Sequence, residues 1–161
     1  MEILLIEDSP EDVEITLRAF QKFGLANRVH VVRDGEEALE CLFSTGRYAG
    51  QAVCSNTRLI LLDLKLPKVD GNDVLQRCKS DPRTKSIPVV VLTSSREERD
   101  LTDTYNLGVN SYVVKPLDFS QFTEAIRQVS LYWMGLNQLP PERNSARGKA
   151  GGPERICYDG G

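Results

Sequence analysis

Histidine is nearly missing from this chain: His30 is the only one in 161 residues. The four cysteines, Cys41, Cys54, Cys78 and Cys157, show no CxxC spacing and have no histidine beside them. Together these shortages argue against a zinc site, which draws its four ligands from closely spaced Cys and His. The expectation is reduced, structurally minor thiols in a reducing compartment, not a disulfide framework. Basic charge is also short. Lys and Arg number 20 against 23 Asp and Glu, a net charge of -3, so no surplus exists to neutralise a phosphate backbone, and a nucleic-acid partner is not expected. No apolar run approaches the length of about 20 residues that spans a bilayer. Met1-Glu2 leads straight into Ile3-Leu4-Leu5-Ile6 without the basic flank of a signal peptide. A soluble cytoplasmic protein with no membrane partner is the expectation.

What the chain does have is a regular alternation. Five short apolar runs, Ile3–Ile6, Val29–Val32, Leu59–Leu62, Val89–Leu92 and Tyr112–Val114, are near-continuous in Ile, Leu and Val, as in strands buried on both faces of a parallel sheet. Helical segments lie between them, with start signals. Ser9-Pro10-Glu11-Asp12 offers an N-cap, a proline at the first helical position and an acid at the capping-box position. Asp34 with Glu37, Ser95 with Glu98, and Asp118 with Gln121 repeat the spacing. Val13, Leu17 and Phe20, then Phe122, Ile126, Val129 and Trp133, recur at helical intervals. Strand and helix alternate five times, which predicts a doubly wound α/β sandwich with right-handed crossovers. Residues 1–136 form the expected single domain. The polar stretch 46–58 reads as a surface insertion or a partner-contacting loop. Residues 137–161 carry five glycines and three prolines with almost no apolar periodicity, and read as a flexible C-terminal extension.

In an open parallel sheet functional groups collect at the carboxyl ends of the strands. Glu7 and Asp8 follow the first predicted strand and Asp63 the third; the fourth ends in Thr93, and the fifth runs into Lys115-Pro116. Three carboxylates at one edge repel unless a cation or raised pKa values relieve them. Mg²⁺ suits such a place, because it takes oxygen ligands and is commonly held by one or two carboxylates plus a phosphate. A phosphoryl group arriving at Asp63 would need positive charge and donors around its oxygens, which the metal, Lys115 and Thr93 could supply. Asp63 is then a nucleophile that forms an acyl phosphate.

These residues resemble the receiver domain of two-component response regulators over about residues 1–130. The resemblance rests on Ile6-Glu7-Asp8, Leu61-Leu62-Asp63-Leu64-Lys65-Leu66-Pro67 with Gly71, Leu92-Thr93-Ser94, and Tyr112-Val113-Val114-Lys115-Pro116. It implies a flavodoxin-like (βα)5 doubly wound parallel sheet of order 2-1-3-4-5. It also implies phosphoryl transfer from a sensor histidine kinase to Asp63. Asp8 and Asp63 would contact Mg²⁺ directly, Glu7 through a water, and Lys65 through its main-chain carbonyl. Thr93 and Lys115 would bind phosphoryl oxygens, Tyr112 would change rotamer as Thr93 moves, and the Lys115-Pro116 bond would be cis.

The insertion and the ending Leu131 to Pro141 are similar to single-domain regulators paired with bacterial phytochromes, which makes a bacteriophytochrome a candidate kinase. The same similarity implies a homodimer through the faces Glu97 to Leu107 and Phe119 to Trp133. Output would then be protein contact, with a phosphorelay intermediate or a phosphate sink as alternatives. The expected role is that of a phosphoacceptor signalling protein, not an enzyme acting on other substrates. A phosphohydrolase with an aspartyl-phosphate intermediate is the rival from another class. It needs a second Asp two residues beyond the nucleophile as general acid/base, and Lys65 stands there. Many receivers carry Asn or another short polar residue at that place. Lys65 is therefore expected to change the acyl-phosphate lifetime relative to Lys65→Asn; dephosphorylation rates measured side by side check this, and equal rates would remove the idea.

Overall fold

A computed structural model describes residues 1–140. Five strands, β1 (Ile3–Ile6), β2 (Val29–Val32), β3 (Leu59–Leu62), β4 (Val89–Thr93) and β5 (Ser111–Val114), form one parallel sheet in the order β2-β1-β3-β4-β5. Helices follow the strands in turn: α1 (Pro10–Lys22), α2 (Gly35–Phe43), α3 (Gly71–Ser80), α4 (Glu98–Asn106) and α5 (Phe119–Ser130). This is the doubly wound sandwich expected from the alternation, with the flavodoxin-like strand order that the resemblance implies. The last helix continues into a π-helical turn, Leu131–Leu136. Most of the 137–161 extension lies outside the described residues, and no helix among the described ones is long and apolar enough to cross a membrane.

β1, β3 and residues 89–92 of β4 are apolar throughout because both faces are covered. Leu4, Ile6, Ile60, Leu62, Val89 and Val91 pack with Ala38, Leu39, Val74 and Leu75 of α2 and α3. Their neighbours in sequence, Ile3, Leu5, Leu59, Leu61, Val90 and Leu92, pack on the other side with Ala19, Phe20, Phe122 and Ile126 of α1 and α5. The period-two side-chain alternation of a strand thus splits each run between two cores. α4 is the exception among the helices. Only Thr104 of it is buried, while Leu101 and Tyr105 are exposed.

Three of the four expected caps form. The side chains of Ser9, Asp34 and Asp118 accept from the backbone N–H of Asp12, Glu37 and Gln121. The fourth does not: α4 starts at Glu98 with no side-chain cap. Ser95 instead donates its hydroxyl to Asp100 and lies two residues before the N-cap. Spacing alone cannot tell a cap from a loop serine whose hydroxyl has found a nearer carboxylate.

Two further expectations are corrected. No peptide bond among the described residues is cis, so Lys115-Pro116 is trans; trans is the form that an X-Pro amide favours by about 0.5–1 kcal/mol. The cysteines are not all free thiols. Cys41 of α2 and Cys54 of the insertion form a disulfide with their Cα atoms 5.9 Å apart, within bonding range. The insertion is anchored rather than loose. Tyr48 is buried, donates to Glu37 Oε1 at 2.9 Å and meets His30 Nε2 at 3.1 Å, so 46–58 folds back over α2 and the edge strand β2. Cys54 reaches Cys41 because of that fold-back, which their spacing in sequence does not encode.

One glycine decides the path of the chain below the site. Gly71 opens α3, and its N–H donates to Leu64 O at 2.9 Å. A Cβ there would stand 2.6 Å from Asp63 O and 2.6 Å from Leu64 Cα, both backbone atoms. Gly71→Ala must therefore displace the loop after β3, and should cost about 1–3 kcal/mol in urea-induced unfolding.

Candidate functional site

Strand register brings the chemistry together. Ile6 and Leu62 are partners in adjacent strands, and Glu7 and Asp63 are the next residues along each strand's path. Asp63 N–H donates to Ile6 O at 3.0 Å, and Glu7 N–H to Val32 O at 3.1 Å. At β5 the Lys115 N–H donates to Thr93 O at 2.7 Å. The loops after β1, β3 and β5 therefore leave the sheet at one edge, each carrying an ionisable side chain.

Glu7, Asp8 and Asp63 each offer a carboxylate oxygen, and the three atoms lie within 4.8 Å of one another. Glu7 is buried, Asp63 half-buried and Asp8 exposed. The set fits a hard divalent cation: oxygen donors only, converging, with one side open to water. Such a cation would neutralise the carboxylates and hold phosphoryl oxygens. Lys65 is exposed in the loop after Asp63.

Lys115 supplies the positive charge. Its ammonium donates to Glu7 Oε2 at 2.6 Å, Asp12 Oδ2 at 2.8 Å and Asp63 Oδ2 at 3.3 Å, so each of its three N–H groups has a carboxylate. Burial alone would push this amine down, but the hydrogen bonds to Asp12 and Glu7 and the Asp63 charge outweigh it and hold its pKa above the ordinary range. Glu7 moves up as well. Burial, helped by the Asp63 charge and opposed by the Lys115 hydrogen bond, raises it from 4.5 to about 7.

Thr93 and Tyr112 sit beside this cluster without joining it. The buried Thr93 hydroxyl accepts from Ser95 N–H at 3.3 Å. Tyr112 is half-buried and donates its hydroxyl to Ser95 O at 3.1 Å; burial raises its pKa. Ser95 thus ties Thr93, Tyr112 and, through Asp100, helix α4.

Sequence reasoning misses Asp12 as a member of the site, because it assigns that residue to the capping box. The box is only half made. Ser9 Oγ accepts from Asp12 N–H, but the reciprocal donor, Ser9 N–H, bonds to Glu7 Oε1 at 3.1 Å. The Asp12 carboxylate is left to face Lys115. The available signal is its place in the first turn of α1, directly after the acidic pair Glu7-Asp8.

A family model described as the response regulator receiver domain matches residues 3–127. The chain is 41% identical over 138 residues to the "Probable methanogenesis regulatory protein FilR2" of Methanothrix harundinacea, covering 86% of each protein. It is 36% identical over 138 residues to the response regulator Rcp1 of Synechocystis sp., covering 86% of this chain and 92% of Rcp1. Among solved structures, the phosphorylated cyanobacterial phytochrome response regulator RcpA superposes with a TM-score of 0.80 at 40% identity, over 86% of this chain and 97% of that one. The bacteriophytochrome response regulator AtBRR gives 0.67 at 52% identity, over 85% and 97%. Rcp1 has also been solved in a Mn²⁺-bound form, which matches with a TM-score of 0.76 at 34% identity over 86% of this chain and 97% of that one.

Because the Glu7 pKa is raised on folding, its contribution to stability is present below the ordinary value of 4.5 and is lost as pH climbs through about 7. A divalent cation needs the ionised form, so the two effects oppose each other. Added Mg²⁺ or Mn²⁺ near 100 Kd should raise the melting temperature by about 5 °C or more at pH 8. The increment should shrink clearly at pH 6, as followed by scanning calorimetry.

Proposed function

This chain belongs to the response regulator receiver domain family, and from that premise we propose that Asp63 is its phosphoacceptor, charged by a sensor histidine kinase in a Mg²⁺-dependent reaction. The observation that carries the reading is the pairing of one half-buried carboxylate with both a convergent acidic cluster and a buried ammonium. The Asp63 carboxylate attacks phosphorus, the N–P bond of the phosphohistidine breaks, and the imidazole leaves with the bonding pair. Asp8, Asp63 and the Lys65 carbonyl would hold the cation, with Glu7 acting through a water. Lys115 and the Thr93 hydroxyl receive phosphoryl oxygens. The Thr93 hydroxyl, which accepts from Ser95 N–H, donates its own O–H to a phosphoryl oxygen, a local move that Tyr112 can follow because both are bonded to Ser95.

Similarity to RcpA and AtBRR supports a bacteriophytochrome as the kinase. A homodimer through α4, α5 and the π turn is supported by exposed apolar residues there: Leu101, Tyr105, Leu131, Tyr132 and Leu136. Exposed apolar side chains of this kind are what an interaction face offers. Output is then protein contact governed by how phosphorylation shifts a pre-existing equilibrium.

Incubation with acetyl phosphate and Mg²⁺ should add one phosphoryl mass to the intact protein, and Asp63→Asn should abolish the addition. An unmodified wild-type protein would overturn the reading.

A further inference from the structure

The ammonium of Lys115 is held more closely by a residue outside the cation cluster than by the acceptor itself. Its contact with Asp12 is 2.8 Å, inside the range of a charge-assisted hydrogen bond, whereas its contact with Asp63 is 3.3 Å, outside it. Asp12 is not one of the three carboxylates that converge for a cation. Its side chain is also spared from capping, because Ser9 N–H is bonded to Glu7. It is the most exposed of the three partners of Lys115, 37% against 4% for Glu7 and 13% for Asp63.

We propose that Asp12 is a positioning residue that parks the Lys115 ammonium away from the phosphoryl side of Asp63 and so restrains phosphoryl transfer. The proposal rests on Asp63 being the phosphoacceptor. An ammonium has three N–H groups, and in this arrangement all three are engaged by carboxylates. To meet a phosphoryl oxygen, Lys115 must release one of them. Glu7 is buried beside it, and Asp63 is the residue that receives the group, which leaves Asp12 as the partner to be given up. Asp12 acts in a second way on the same step. Its negative charge, 2.8 Å from the ammonium, also opposes the approach of an anionic phosphodonor. Both effects slow phosphorylation, and neither requires Asp12 to touch the reacting atoms.

Asp12→Asn keeps the size of the side chain and removes the charge. With acetyl phosphate and saturating Mg²⁺ it should be phosphorylated about 3–10-fold faster than wild type, by intact-protein mass spectrometry over time. The Mg²⁺ Kd should stay within about twofold, since Asp12 is outside the cation cluster. Asp12→Glu, which returns a carboxylate to the first turn of α1, should bring the rate back to within about twofold of wild type. A merely structural role would instead shift the melting temperature and the Mg²⁺ Kd together. Wild-type-like rates in Asp12→Asn, or slow rates in both variants, overturn the proposal while leaving Asp63 as the acceptor. A wild-type protein that gains no phosphoryl mass removes the premise and the proposal together.

Discussion

One ammonium makes the carboxyl edge of this sheet tolerable. Glu7, Asp12 and Asp63 all reach Lys115, and Asp8 stands close by. Bringing these acids together without a counter-charge would cost several kcal/mol of repulsion and desolvation. Lys115 in turn can be buried, 9% exposed at its side chain, only because three carboxylates surround it. The cluster remains net negative all the same. A surplus of this sign is what a site needs in order to bind a divalent cation, and the Asp63 charge adds to the burial that raises the pKa of Glu7.

The sheet converts this electrostatic problem into geometry. Strands of four or five residues are too short to carry much function themselves, but their shared register fixes where the following loops begin. Glu7 and Asp63 are neighbours because Ile6 and Leu62 are partners. Lys115 reaches them across the sheet edge, its backbone tied to Thr93. The two cores are what keep that register. Slipping any strand by one residue would exchange its two apolar faces and also move its functional residue away from the edge. Gly71 serves the same end from below, since its missing side chain lets α3 start directly beneath the Asp63 backbone.

Most of this architecture is legible in the chain. The five apolar runs match the observed strands to within one residue, because short runs of Ile, Leu and Val between helical segments identify strands without reference to a partner. Three of four caps are legible for a similar reason: Ser9, Asp34 and Asp118 each bond to backbone three residues away. What escapes is non-local. The Asp12 carboxylate is bound by a residue 103 positions later, and its helix-capping pattern points to a different partner. The Cys41–Cys54 disulfide depends on how an irregular insertion folds back. Ser95 reads as a cap, yet the carboxylate of Asp100, five residues on, competes for its hydroxyl. In each case the local pattern is real, and a tertiary contact takes the side chain elsewhere.

The same kind of contact gives the site a route outward. Ser95 accepts at its carbonyl from Tyr112, donates from its N–H to Thr93 and from its hydroxyl to Asp100 of α4. A change in what Thr93 binds therefore alters one of four bonds held by a single residue, counting the Glu97 N–H that its hydroxyl accepts. α4 is the helix with the least to lose from such a change, since it buries only Thr104 and has no side-chain cap at its start. Helices α1 and α5 bury four residues each and are anchored in a core. Local stability follows such buried contacts, so α4 is the less firmly held element. The element that carries exposed Leu101 and Tyr105 is thus also the one that the site can most readily move.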